Sequence, residues 1–204
     1  MSVAGLILAA GESRRMGFPK ALLEFRGETF LDGLIRTFGA YCSPVVAVLG
    51  ADAGRIRSGI RAASGATIVE NPDWRLGQLT SMQCGLRAVP AEARGVLFTL
   101  VDHPNVRIET VAELVRQDSV FAIPRHAGRR GHPLYFSREL ATEFLALDRS
   151  ATARVVLERH AAEIRYVDVD DPGILDDVDD PEAYRRLLGI GQAKAPAAPG
   201  QAQQ

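Results

Sequence analysis

The stretch LILAAGESRRMGFPKALL, residues 6–23, decides the fold of this 204-residue chain. It opens as an unbroken apolar run, which Gly11 ends, and three cationic side chains follow before the chain becomes apolar again. A strand without alternating polar residues is typical of a parallel sheet that is covered on both faces. The stretch therefore predicts a buried first strand that leads into a loop able to hold an anion.

Two common phosphate-binding loops do not fit this stretch. A Walker A loop requires G-x-x-x-x-G-K-S/T, but Gly11 and Gly17 are one position too far apart and Lys20 is followed by Ala21. A dinucleotide-binding loop requires G-x-G-x-x-G, and no glycine stands two positions after Gly11. From the residues alone, a solvated basic loop and a binding loop of another kind both remain open.

Apolar strands and helical patterns alternate along the N-terminal half of the chain. SPVVAVLG, ATIVENP and GVLFTLVDHP are predicted strands, and helices are predicted between them. This alternation predicts an α/β fold with a mostly parallel central sheet and helices on both faces. VFAIPRHAGRRGHPLYFS predicts an antiparallel element in the C-terminal half. Ligands of such sheets bind beyond the carboxyl ends of the strands, where Gly11, Asn71 and Asp102 lie.

Composition limits the classes of partner. Residues 1–188 are predicted to form a single domain, and the low-complexity residues 189–204 to form a disordered tail. A net charge of −1 gives no reason to expect nucleic acid or a membrane surface as a partner. The apolar run at the N-terminus is too short to span a bilayer. The two cysteines have no metal-binding or disulfide spacing, so we expect a cytoplasmic protein.

The opening stretch resembles the signature LAAGxSxRMGxxKxLL of the MobA-like NTP transferases, which are nucleotidyltransferases with a Rossmann-like fold. ENPDWRLGQLTSMQCGL, LVDHP, RRGHPLYFS and GILDDVDDPEAY are similar to other motifs of that family, so the resemblance covers residues 3–188. The LAAG spelling and the R-G-H-P element are closer to the molybdenum cofactor cytidylyltransferase branch than to the guanylyltransferase branch. The resemblance implies transfer of a nucleotide from an NTP, with CTP favoured over GTP, to the phosphate of a molybdopterin-type acceptor.

The resemblance also implies roles for the residues at the strand ends. Arg15, Lys20 and Asp102 would be catalytic, because nucleotidyl transfer builds negative charge that fixed cations stabilise. The backbone of the first strand end would contact the base and ribose, and the start of a later helix would add further contacts. The implied nucleotide-binding residues are Leu8, Ala9, Ala10, Gly11, Lys20, Asn71, Gly77 and Ser81.

Asp102 is the expected anchor of a metal ion, because it ends an apolar strand and Mg²⁺ prefers carboxylates together with phosphate oxygens. The alternative interpretation is a cap on the turn that follows. A second carboxylate is expected from the C-terminal DDVDD segment, where Asp177 and Asp179 are candidates and the resemblance favours Asp179. Mg²⁺ is the expected cofactor, with Mn²⁺ as an alternative.

Three further residues are candidates for contacts with the acceptor. The resemblance places His132 on the acceptor side, with Arg130 beside it to hold a phosphate. His103 follows Asp102 and is a candidate contact for the acceptor or for a metal-bound water. The simpler interpretations are a turn histidine for His132 and an exposed loop histidine for His103.

Other functions remain compatible with the sequence. The acceptor could be another phosphorylated metabolite, such as a sugar phosphate. A non-catalytic chaperone that delivers the cofactor to a molybdoenzyme apoprotein would need no transfer chemistry. The presence of Lys20, Asp102 and Asp179 argues against that purely non-catalytic role.

Overall fold

The computed structural model describes residues 2–190 of the chain. Its strands are β1 (Val3–Ala9), β2 (Glu24–Phe25), β3 (Glu28–Thr29), β4 (Val45–Leu49), β5 (Thr67–Glu70), β6 (Gly95–Leu100), β7 (Phe121–His126), β8 (Arg129–Arg130), β9 (Leu134–Ser137) and β10 (Ile164–Asp168). Its α-helices are α1 (Phe30–Gly39), α2 (Ala53–Gly59), α3 (Gln78–Ala88), α4 (Ile108–Val115), α5 (Arg138–Ala146), α6 (Arg154–Arg159) and α7 (Pro181–Leu187).

The central sheet has the strand order β10-β7-β9-β6-β1-β4-β5, and β8 pairs with β7 beside this path. β1 lies parallel to β4 and β6, and β4 lies parallel to β5. β9 runs antiparallel to both β6 and β7, and β8 runs antiparallel to β7. The predicted α/β class, with a mostly parallel sheet and an antiparallel element in the C-terminal half, is confirmed.

Strand β1 is buried on both faces, which explains why its sequence shows no alternation. Ile7 belongs to the apolar cluster under α1, α2 and α4, whereas Leu6 and Leu8 belong to the cluster under α3, α5 and α6. Every residue of β1 is buried. Each large apolar side chain buried in this way contributes about 1.5–3 kcal/mol to folding, so the strand fixes the centre of the sheet.

Two helices begin at capping residues of the types that helix N-termini favour. The side chain of Thr29 accepts a hydrogen bond of 3.1 Å from the backbone N–H of Asp32 at the start of α1. Asp180 accepts one of 2.8 Å from the N–H of Ala183, and Pro181 occupies the first position of α7. Such caps satisfy backbone donors that the helix itself leaves without partners.

The boundary of the domain at residue 188 stays a prediction. α7 ends at Leu187, and most of the proposed tail, residues 191–204, lies outside the described residues. None of the helices within residues 2–190 has the length and apolar character needed to cross a bilayer.

Candidate functional site

A cavity of about 320 Å³ lies beyond the carboxyl ends of β1 and β6, where parallel sheets of this type place their ligands. Its walls come from the loop after β1, the end of β6, the start of α3 and the segment before α7. The lining residues that the sequence predicts are Leu8, Ala9, Ala10, Gly11, Arg15, Lys20, Ser81, Asp102 and Asp179. Ser13, Ile56, Trp74, Gln78, Leu100 and Val101 also line it.

The loop after β1 holds its own shape and leaves room for a ligand. The Ser13 hydroxyl accepts a hydrogen bond of 3.1 Å from the backbone N–H of Lys20, and the Ser13 carbonyl accepts one of 3.0 Å from that of Met16. Apart from Gly11 and its two chain neighbours, no heavy atom of residues 2–190 lies within 4 Å of the position that a Cβ on Gly11 would take. A ligand can therefore approach the backbone closely at Gly11, as a glycine permits.

Lys20 connects the loop after β1 with the end of β6 and with the segment before α7, at the mouth of this cavity. Its Nζ lies 3.0 Å from Asp102 Oδ2 and 2.6 Å from Asp179 Oδ1. Arg15 Nη2 lies 2.6 Å from the other oxygen of Asp179. Only 11% of the Lys20 side chain is exposed, compared with 68% of the Arg15 side chain. The structure thus gathers the predicted catalytic cations and carboxylates at one place.

These contacts shift the protonation of the cluster. Burial alone would lower the pKa of Lys20, but the hydrogen bond to Asp179 and the charge of Asp102 outweigh it and raise that pKa. The hydrogen bond from Lys20, with that from Arg15, holds the pKa of Asp179 below its ordinary value. Both Lys20 and Asp179 are consequently charged at neutral pH. A cation of this kind is suited to bind phosphate oxygens.

The segment before α7 is tied to the end of β6 by backbone and side-chain hydrogen bonds. The N–H of Val178 donates to the carbonyl of Asp102 over 2.9 Å. The buried carboxylate of Asp171 accepts from the N–H of Arg107 over 2.9 Å and from the hydroxyl of Thr110 over 2.7 Å. Of the two interpretations that the sequence offers for Asp171, a solvated loop acid or a cap, the cap is confirmed, because its side chain accepts a hydrogen bond of 3.0 Å from the N–H of Gly173. The residue is only 2% exposed, so it also anchors the segment.

A metal ion has a second candidate position beside the Lys20 cluster. One ligand atom each from Asp102, His103 and Asp177 lies within 4.8 Å of the others. Partial burial, followed by the charges of Asp102 and Asp179, raises the pKa of Asp177, as expected for a carboxylate that lies near other carboxylates. In this structure both oxygens of Asp179 contact Lys20 and Arg15, so its role as a metal ligand stays a prediction.

Asn71 and Gly77, both predicted nucleotide contacts, lie outside the walls of this cavity. Asn71 is buried, and its amide donates hydrogen bonds of 3.0 Å to the hydroxyls of Thr80 and Ser81. It therefore fixes the first turn of α3, where Ser81 faces the cavity. Gly77 instead lines a neighbouring cavity.

The neighbouring cavity, of about 470 Å³, is largely apolar and shares Gln78 with the first. His132 lines it, and also lines a cleft that includes Arg130. The ring of His132 stacks on that of His103, with centroids 4.3 Å apart and planes inclined by 23°. The two histidines are therefore packed against each other, so neither is a simple exposed loop residue.

The burial of His132 predicts an acid-sensitive fold. Burial, with the neighbouring His103, lowers the pKa of His132 to about 3 from 6.5. Because the unfolded chain binds the proton more tightly, stability falls as the pH decreases from about 6.5 towards 3. At pH 5 we expect His132 to cost the wild-type protein about 2 kcal/mol. Urea unfolding at pH 7.5 and pH 5 should show this loss in the wild type and not in His132→Phe. Parallel pH profiles would contradict it.

The comparisons with known proteins agree with this geometry. A family model described as the MobA-like NTP transferase domain matches residues 5–164. The chain is 32% identical to a nicotine blue oxidoreductase of Paenarthrobacter nicotinovorans, an alignment that covers 91% of this chain and 96% of the relative. It is 28% identical to the molybdenum cofactor cytidylyltransferase of Escherichia coli (strain K12), with 88% and 92% covered.

One similar solved structure contains a divalent metal ion. The Rv0371c protein of Mycobacterium tuberculosis H37Rv in complex with manganese superposes with a TM-score of 0.74 at 26% identity, covering 94% of this chain and all of that one. The family match spans most of the chain and includes the loop after β1 and the end of β6, which line the cavity. The chain therefore belongs to the MobA-like NTP transferase family of nucleotidyltransferases.

Proposed function

We propose that this protein transfers the nucleotidyl group of CTP to the phosphate of a molybdopterin-type acceptor and releases pyrophosphate. The observation that carries the proposal is the contact of Lys20 with both Asp102 and Asp179 at the mouth of the cavity beyond β1. Triphosphate chemistry requires a fixed cation beside carboxylates that can hold a metal ion. We also propose a cytoplasmic location, because NTPs are cytoplasmic metabolites and both cysteines are free thiols.

The transfer needs positioning and charge more than acid–base catalysis. An oxygen of the acceptor phosphate forms a bond to the α-phosphorus, the bond from that phosphorus to the bridging oxygen breaks, and pyrophosphate leaves. The acceptor phosphate is already ionised at neutral pH, since its second pKa is near about 6. Lys20 and Arg15 bind the triphosphate oxygens and stabilise the charge that builds during transfer. No nucleophilic side chain is required.

A divalent cation fits the acidic residues at the end of β6. We propose Mg²⁺ or Mn²⁺, held by Asp102 and by a carboxylate of the segment with Asp177 and Asp179. The buried Oδ1 atom of Asp102 has no hydrogen-bond partner within residues 2–190, so it is available to such an ion. When bound, the cation would neutralise charge on the phosphate oxygens. Lys20 then has to move from the carboxylates to the triphosphate.

The base is proposed to lie against the backbone at the end of β1. Leu8, Ala9, Ala10 and Gly11 line the cavity there, and backbone donors and acceptors can recognise the edge of a pyrimidine. CTP is favoured by the R-G-H-P element and by the cytidylyltransferase relative. A purine would occupy the same wall, so GTP is the direct competitor.

The acceptor is proposed to enter through the apolar cavity beside α3. Gln78 lines both cavities, so a phosphate that passes it reaches the nucleotide from the acceptor side. The walls include Phe98, Phe144 and Leu157, which suit a fused heterocycle such as a pterin. His132 and Arg130 lie on the same side of the site. The product would leave through the same apolar cavity and could pass from there to a molybdoenzyme apoprotein.

Two measurements on the purified protein test this proposal. With a divalent cation present, CTP should raise the melting temperature more than GTP, ATP or UTP, because a ligand that binds only the folded state stabilises it. CTP with a molybdopterin-type acceptor should then release pyrophosphate. A larger shift with GTP would replace cytidylyl by guanylyl transfer. Nucleotide binding without pyrophosphate release for molybdopterin and sugar phosphates would favour the delivery chaperone.

A second candidate function is reduction of a planar organic substrate. It is favoured by the 32% identity, over nearly the whole length of both chains, to a relative named as an oxidoreductase. The apolar cavity of about 470 Å³ could hold such a substrate. Oxidation of NADPH or NADH in the presence of a quinone-type dye would support this function, whereas the proposed transferase should show none.

A further inference from the structure

Two residues from different parts of the chain lie beside Asp102. His103 is its neighbour in the sequence, whereas Asp177 comes from the segment before α7. Asp102 and His103 follow the end of β6, and Asp177 precedes Val178, whose N–H donates to the carbonyl of Asp102 over 2.9 Å. One ligand atom from each of the three residues lies within 4.8 Å of the others. Opposite ligands of an octahedral ion with bonds of about 2.1 Å are roughly 4.2 Å apart. The spacing therefore fits a single ion after small side-chain movements.

Two polar atoms at this place are buried and lack hydrogen-bond partners within residues 2–190. They are Oδ1 of Asp102 and Nδ1 of His103. A buried polar atom without a partner costs about 1–3 kcal/mol, so such atoms in native proteins indicate a missing ligand or water. The other oxygen of Asp102 already accepts from Lys20, which leaves Oδ1 for the ion. An ion bound at Oδ1 of Asp102 would satisfy that atom, and Nε2 of His103 is the ring nitrogen that faces it.

The imidazole of His103 is held in place before any ion arrives. Its ring stacks on that of His132 at 4.3 Å, and only 12% of its side chain is exposed. His103 Nε2 lies 3.9 Å from Asp102 Oδ1, which is too long for a hydrogen bond but suitable for two atoms that share an ion. The ring therefore points at the carboxylate without being bonded to it.

The negative charge of the neighbouring carboxylate, Asp179, is balanced by side chains of the protein. Lys20 and Arg15 occupy both of its oxygens. Asp102 and Asp177 are then the carboxylates left for an ion, and His103 supplies a nitrogen. Mg²⁺ prefers oxygen ligands and retained water, whereas imidazole suits the later first-row transition metals.

We propose that Asp102, His103 and Asp177 form a mixed oxygen and nitrogen site that prefers a divalent first-row transition metal over Mg²⁺. His103 is the residue that sets this preference. The inference deepens the proposed function and rests on it for the use of the ion in nucleotidyl transfer, but binding itself needs no nucleotide. Removing the imidazole should weaken binding of a transition metal and leave binding of Mg²⁺ nearly unchanged.

Calorimetric titration of the full chain with Co²⁺ and with Mg²⁺, in the absence of nucleotide, tests the preference. In His103→Phe, which keeps a flat ring against His132, the ratio of the Mg²⁺ and Co²⁺ dissociation constants should fall at least about tenfold. His126→Phe is the matched control, since His126 lies outside the cluster and bonds the carbonyl of Val169 over 3.0 Å. An unchanged ratio in His103→Phe would overturn the proposal.

A spectroscopic measurement reports the ligand directly. Electron spin-echo spectra of the Mn²⁺-loaded wild type should show modulation from a directly bound imidazole nitrogen, and His103→Phe should lose it. Absence of this modulation in the wild type would overturn the proposal even if every variant failed to fold. Should circular dichroism show that His103→Phe does not fold, His103→Gln serves in both measurements.

These outcomes are separate from those of the proposed function. The wild-type protein could show the nitrogen signal and the Co²⁺ preference yet release no pyrophosphate with any acceptor. That result would support the proposed metal site and contradict the proposed transferase activity. Pyrophosphate release with Mg²⁺ but no nitrogen signal would support the proposed transferase activity and contradict the proposed metal site at His103.

Discussion

Asp102→Asn should reduce the rate of pyrophosphate release about a thousandfold, which corresponds to roughly 4 kcal/mol of lost transition-state stabilisation. The amide keeps the size of the side chain but removes its charge. It would no longer supply the charge proposed to hold a cation beside the triphosphate, and its contact with Lys20, 3.0 Å in the wild type, would lose its ionic character. Single-turnover kinetics with saturating nucleotide would measure the loss in the chemical step itself.

The matched control for this change is Asp118→Asn. Asp118 is exposed and lies between α4 and the start of β7, at the opposite end of the strands from the cavity. We expect its rate to stay within about twofold of the wild type. Melting temperatures of both variants should remain close to that of the wild type, so that a fall in rate reports chemistry. A fully active Asp102→Asn protein would remove Asp102 from the mechanism.

Gly131→Ala should destabilise the fold and disorganise the acidic segment together. A Cβ at this position would stand 2.1 Å from the carbonyl oxygen of Ile174, which is backbone and cannot rotate away. That same carbonyl accepts a hydrogen bond of 3.0 Å from the N–H of His132. We expect a loss of about 2–3 kcal/mol and a fall in melting temperature of roughly 5–10 °C.

The position of Ile174 extends this effect to Asp177, a residue proposed to bind the metal ion. Ile174 precedes Asp177 by three residues, so a displaced Ile174 carbonyl would also move the segment that carries Asp177. We therefore expect weaker binding of divalent cations as well, measured by the same titration. Gly54→Ala, in α2, is the control and should be neutral or slightly stabilising, because outside its own helix no part of the described chain lies within 4 Å of the new Cβ. Gly131→Ala with wild-type stability would contradict the predicted clash.

Local patterns were sufficient for most of the fold. The unbroken apolar runs predict β1, β4 and β6, and the caps at Thr29 and Asp180 are local features that need no knowledge of the rest of the chain. The hairpin of β2 and β3 was not predicted, because two residues per strand are too few to show a period. Its position depends on Tyr184, whose hydroxyl donates to the carbonyl of Glu24 over 2.7 Å.

The candidate site could be predicted only in part. A motif identifies Lys20 and Asp102, because each follows a strand end that the topology brings to the same edge. The sequence does not show which of two acidic residues, two positions apart, contacts Lys20. That choice depends on the hydrogen bond between Val178 and Asp102 over a separation of 76 residues (178 minus 102). The stacking of His103 on His132 depends in the same way on pairing between distant strands.

The position of Lys20 between two carboxylates has a consequence for the protein before it meets any ligand. Its ammonium group acts as an internal counterion, so the protein itself balances part of the charge repulsion between the carboxylates at the strand ends. The loop after β1 and the segment before α7 are thereby held together without a metal. Because these contacts need no metal ion, storage in a chelator should leave the site intact.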